Sequence, residues 1–249
     1  MKDFNEQAKE LLIFSHIPKT AGSTMRQILK KQYEKKKIIP FRKIEELDEQ
    51  QLAQAEAVYG HIRFGAHKYF SQPFTYITML RDPVERIISN YYFSQRRPSN
   101  RMHESAKSLD FLGFVKQEIE ANNPSLHNHQ TRFVSGAKNP DLELAKQNIH
   151  EHYAVVGLSE MFDESVFLMK TFLGWDDIFY TKTNVTKNRP KQFDLPHEAI
   201  AILKEYNQLD YELYHYAKEV LNDNLKALDS ESKKELKRYK KQGLIFGED

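Results

Sequence analysis

LLIFSHIPKTAGSTMRQILKKQY, residues 11–33, opens as an apolar run and closes as a helix. The run LLIFSH (11–16) is continuously apolar rather than alternating, the pattern of a strand buried on both faces of a parallel sheet. Met25, Ile28, Leu29 and Tyr33 then recur at helical spacing. Between them lies HIPKTAGST, with one lysine, one glycine and three hydroxyls. Such a turn suits an anion. The first N–H groups of a helix lack intrahelical acceptors and carry the positive end of its dipole. Gly22 lets the backbone approach a ligand closely. Thr20, Ser23 and Thr24 add hydroxyl donors, and Lys19 adds a charge. The stretch reads as a phosphate or sulfate cradle. It is not a Walker A loop, because the lysine precedes the glycine and no glycine opens the turn. That disfavours ATP chemistry.

Three further apolar runs read as buried strands: AVYGHI (57–62), FTYITML (74–80) and YAVVGL (153–158). Helical patterns separate them. One follows the third run, with Pro83 at the first helical position and a stripe of Val84, Ile87, Ile88 and Tyr91. The alternation predicts an α/β fold: a three-layer sandwich with a central, mostly parallel sheet flanked by helices. The 249 residues suit a single domain. Residues 98–150 read as a helical insertion forming one wall of a cleft, and 196–242 as C-terminal helices with a charged tail. The net charge of +2 gives no reason to expect nucleic acid, and an oligomeric state is not readable. No apolar run approaches the ~20 residues of a membrane span. The chain has no cysteine, which excludes thiol nucleophiles and disulfides. With no apolar leader in MKDFNEQAKE, a cytoplasmic location is expected.

The third strand and its helix, YITMLRDPVERIISNYYFS (76–94), repeat the logic of the opening stretch. Arg81 ends the strand, Asp82 stands at the cap, and Ser89 lies two turns into the helix. An arginine at a strand end and a serine from the next helix can converge on one oxyanion.

Together HIPKTAGST and RDPVERIISNYYF resemble the phosphosulfate loop and the 3′-phosphate motif of sulfotransferases. The likeness is to carbohydrate sulfotransferases of the heparan sulfate 2-O-sulfotransferase type. YGHIRFG (59–65), NHQTRFVSG (128–136), VGLSEMFDES and NVTKNRP (184–190) agree with it. The resemblance implies a P-loop-like fold and a donor, 3′-phosphoadenosine 5′-phosphosulfate (PAPS). It also implies transfer of the sulfonate to a hydroxyl, that of a saccharide, leaving PAP. Lys19 would contact the bridging oxygen and the 5′-phosphate. Thr20, Ala21, Gly22, Ser23 and Thr24 would form the cradle, and Arg81 and Ser89 would hold the 3′-phosphate. Lys187 and Arg189 would close over the donor. No metal is required by this chemistry.

A general base is then needed. His61 ends the second strand, where open α/β sheets place ligands, and it titrates in the useful range. The resembling enzymes carry a catalytic histidine in a similar Gly-His stretch. His16, beside the turn, is the rival, read as orienting the turn or meeting the acceptor. Arg63, His67 and Arg132 are the other candidates for the acceptor wall. The pairs His127/His129 and His150/His152 lack the partners of a metal site. Two alternatives stand beside this reading: a P-loop-like kinase or NTPase, and a nucleotide-binding module without catalysis.

Overall fold

The computed structural model describes residues 10–35, 37–181 and 194–245. Five strands form one sheet: β1 (Leu11–Ser15), β2 (Ile38–Pro40), β3 (Ala57–Gly60), β4 (Phe74–Leu80) and β5 (Tyr153–Leu158). Their order is β2-β3-β1-β4-β5, and every pairing is parallel. Ser15 stands opposite Gly60 on one side and Thr78 on the other, so β1 runs through the middle of the sheet. All five of its residues are buried. The four apolar runs of the sequence are β1, β3, β4 and β5. The edge strand β2 is three residues long in a lysine-rich stretch, too short for periodicity to mark it.

Eleven α-helices are described. α1 (Gly22–Gln32) follows β1, and the short α2 (Glu49–Ala53) precedes β3. α3 (Pro83–Gln95) follows β4. Residues 98–152 carry α4 (His103–Ser108), α5 (Phe111–Glu120), α6 (His129–Ser135) and α7 (Leu142–His152). After β5 come α8 (Phe162–Leu173), α9 (His197–Tyr206), α10 (Gln208–Ala227) and α11 (Ser230–Ile245).

Two hydrophobic clusters hold this together. The larger one packs the sheet against its flanking helices, around Leu12, Phe14, Ile28, Ile77, Val156 and Phe167. The second joins α3 to α4, α5 and α9 through Val84, Ile87, Ile88, Tyr91, Phe114 and Leu203. The stripe on α3 thus buries itself against the insertion and not against the sheet alone. The opposite face of α3 is left for another use.

Candidate active site

β1, β3 and β4 are neighbours and parallel, so their C-terminal ends meet at one edge of the sheet. The turn 16–24 leaves β1, His61 follows β3 and Arg81 follows β4. Open α/β sheets bind ligands outside such ends. Here the ends open into a cleft of about 1190 Å³. His16, Lys19, Ala21, Gly22, Ser23, Thr24, His61, Arg81 and Ser89 all line it. The non-apolar face of α3 contributes Arg86, Asn90 and Phe93 at helical spacing, and Arg97 follows just past its end.

The turn is locally strained and firmly tied. Lys19 and Ala21 have φ of 74° and 64°, the left-handed region that side chains avoid. Strain of this sort persists where the surroundings enforce it, and it clusters at binding sites. Thr20 is buried, and its hydroxyl donates to the Ile17 carbonyl at 2.8 Å. Its side chain closes the turn instead of lining the cleft. Ser15 donates to the Ile62 carbonyl at 2.5 Å and Thr78 to the Ser15 carbonyl at 2.6 Å, locking the three strand ends together. α3, α5 and α7 are each capped by an aspartate, Asp82, Asp110 and Asp141. α1 has no side-chain cap and no acidic residue in its first turn. Its N-terminus therefore keeps its positive end for the cleft.

Gly22 is required by a neighbour. A Cβ on Gly22 would come within 1.8 Å of His16 Nε2. The His16 ring lies over the start of α1, stacked on Phe14 with centroids 5.6 Å apart and tilted against His61 at 4.8 Å. Burial, then the charges of His61, Lys19 and Arg26, push the His16 pKa down to about 3. His16 is thus held neutral. His61 is exposed as a residue, yet partial desolvation of its ring holds its pKa below the ordinary histidine value. The Lys19 ammonium rests 4.0 Å above the centre of the Phe93 ring, a cation–π contact.

Arg81 is held from several sides. It donates to the Lys19 carbonyl at 3.3 Å, pairs with Glu85 at 3.4 Å and lies 3.9 Å from Glu160. Its backbone is gripped by Gln130, a fully buried side chain. The Arg81 N–H donates to Gln130 Oε1 at 2.9 Å, and Gln130 Nε2 donates to the Arg81 carbonyl at 2.8 Å. Gln130 is itself fixed by Asp210 of α10, whose carboxylate accepts from the N–H groups of Gln130 (3.0 Å) and Thr131 (2.7 Å) and from the Thr131 hydroxyl (2.8 Å).

Three expected acceptor-wall residues are not brought to the cleft. His67 stacks on Phe74 with centroids 4.1 Å apart and meets the Tyr76 hydroxyl at 3.1 Å, near the opposite ends of the strands. Arg63 is exposed. Arg132 is buried, donating to the carbonyls of Pro124 and His127, both at 3.4 Å. Lys187 and Arg189 lie outside the described residues. Sequence reasoning missed Gln130, Arg86 and Phe93. The spacing 86, 89, 93 on α3 is the signal that could have raised the last two. Among the described residues, no group of three or more His, Cys, Asp or Glu could hold a metal ion. Nor is any helix there long and apolar enough to cross a membrane.

The model of the Sulfotransferase family matches residues 2–217. Human uronyl 2-sulfotransferase is 31% identical over 186 residues, which is 63% of this chain and 44% of that protein. Chicken heparan sulfate 2-O-sulfotransferase 1 is 26% identical over 188 residues, 65% of this chain and 51% of that protein. The chain thus spans about half the length of the curated relatives it matches. A solved structure of mouse sulfotransferase SULT7A1 complexed with PAP aligns over 85% of this chain and 91% of that one, at 13% identity and a TM-score of 0.31. These relatives correct one expectation. The uronyl and heparan sulfate 2-O-sulfotransferases are of the Golgi-lumenal, membrane-bound type, which overturns the expected cytoplasmic location.

Proposed function

The chain belongs to the sulfotransferase family, and from that premise we propose that it moves the sulfonate of PAPS to a hydroxyl of a saccharide. One observation carries the reading. The uncapped N-terminus of α1, the Arg81 and Ser89 pair and His61 share a single cleft. The acceptor class follows from relatives named for uronyl and heparan sulfate groups.

The residues divide the work. Lys19 and the first N–H groups of α1 receive the 5′-phosphosulfate. Arg81 and Ser89 receive the 3′-phosphate. His61 takes the acceptor's hydroxyl proton as the acceptor oxygen bonds to sulfur in line with the leaving group. The bond between sulfur and the bridging oxygen breaks, and its electron pair stays on the phosphate of PAP. Charge developing there is met by Lys19 and the α1 N–H groups, donors already in place. His61 suits the base role better than His16. A base works best with a pKa near the operating pH, and at about 3 His16 binds protons too weakly. His16 instead fills the space above Gly22 and orients the turn. The kinase and the non-catalytic readings gain no support from the family match.

The test is transfer of labelled sulfonate from PAPS to a panel of uronate-containing saccharides, neutral glycans, glycolipids and tyrosine peptides. Transfer to saccharides is expected. Transfer to none of them, or ATP turnover in their place, would overturn the proposal.

A further inference from the structure

α3 turns two faces to two environments. One buries Val84, Ile87, Ile88 and Tyr91. The other lines the cleft, and Arg86 stands on it one turn before Ser89. Arg86 has no exposed surface. Its Nη2 donates to the Ser125 carbonyl at 2.6 Å. Its Nε and Nη1 are buried and have no hydrogen-bond partner. Buried donors on a charged group are costly to leave unmet, and native structures rarely do so.

The neighbours do not meet this need. Asp210 acts on Arg86 through its charge, but its oxygens accept from Gln130 and Thr131. Arg81, at the end of β4, already faces Glu85, Glu160 and the Lys19 carbonyl. His129 lines the cleft beside Arg86, and its Nδ1 lies 3.1 Å from the Pro124 carbonyl. A carbonyl only accepts, so Nδ1 carries the proton and Nε2 keeps its lone pair; that Nε2 is itself buried without a hydrogen-bond partner, so it does not accept from Arg86. Arg86 is therefore a strong unmet donor of this corner, next to the serine proposed to hold a phosphate. Guanidinium forks bind phosphate oxygens in pairs.

We infer that Arg86 is a second, buried arm for the phosphate monoester that Arg81 and Ser89 receive. The inference rests on the donor reading above and deepens it. Arg81 then guides the phosphate at the rim, and Arg86 sets its depth.

Calorimetric binding of PAP and of 5′-AMP isolates the term, because the two differ only in the 3′-phosphate. The wild-type protein should prefer PAP. Arg86→Lys and Arg86→Gln should cut that preference by about tenfold or more while changing 5′-AMP affinity little, as expected for a lost charge-assisted pair. Arg81→Ala should keep part of the preference. A PAP preference left within twofold of wild type in the Arg86 variants would overturn the inference. So would an equal loss for both nucleotides, which would make Arg86 a structural partner of Ser125 and His129. If the Arg86 variants do not fold, Arg81→Ala decides alone: complete loss of the preference there also overturns it. A wild-type protein that does not distinguish PAP from 5′-AMP would instead sink the donor reading itself.

Discussion

Two imidazoles 4.8 Å apart at the ends of neighbouring strands stand in different surroundings and should fail differently. We predict that His61→Ala lowers turnover by about a hundred- to ten-thousandfold, the range for losing a general base, with PAP affinity nearly unchanged. The rate limb belongs to the same residue. Its pKa is lowered by desolvation, so kcat/KM for the donor should rise with pH through a value below 6.5 and be flat above it. That limb should vanish in the variant. Turnover retained at saturating donor and acceptor would refute the assignment. His16 makes a second, steric prediction through Gly22. Gly22→Ala forces a Cβ into the His16 ring, and overpacking of this kind costs about 1–3 kcal/mol. In a His16→Ala background the same change should cost less than half as much in urea unfolding. Equal costs in both backgrounds would show that the ring yields freely.

Elements place these residues, and one contact between elements is testable directly. Gln130 at the start of α6 pairs with both backbone groups of Arg81, as an added strand would. Gln130→Ala leaves a half-buried N–H and a half-buried C=O of Arg81 unmet, a loss of about 1–3 kcal/mol each at most. We predict reduced stability and a smaller preference for PAP over 5′-AMP. Gln130→Glu keeps the acceptor but loses the donor, and it should fall between. A wild-type nucleotide preference in both variants would leave Gln130 a purely structural residue. None of this was legible in NHQTRFVSG, because an amide that caps a distant strand leaves no periodic trace. The strand–turn–helix around 11–33 and 74–95 was legible, since continuous apolar runs and a helical stripe are local signals. Thr20 shows the limit. A hydroxyl in an anion turn reads as a ligand donor, yet here it closes the turn onto Ile17. Likewise His67 lies close in sequence to His61 but packs toward the other end of the sheet.

At the scale of the molecule, strand order does what no motif can. The sequence places the turn, His61 and Arg81 about 20 to 60 residues apart, and only the order β3-β1-β4 sets them side by side. That convergence buries His16 and His129 beside cations of the cleft, so both are held neutral. His16 is pushed down to about 3, first by burial. His129 is held well below the ordinary value, by burial and then by Arg86. A global consequence follows by proton linkage. The unfolded chain protonates both near 6.5, whereas the folded chain does not, so below that pH the unfolded state binds more protons. The stabilisation is complete above about pH 6.5 and is lost as pH falls toward the folded values. Each histidine contributes at most ~1.4 kcal/mol per pH unit to the slope. We predict that the urea midpoint is level between pH 7 and 8 and falls steadily from 6.5 to 4.5. His16→Gln should remove about half of that fall, since its amide has no proton to gain. A midpoint that rises on acidification would mean that burial at this edge does not hold the imidazoles neutral, and the electrostatic picture of the cleft would have to be redrawn.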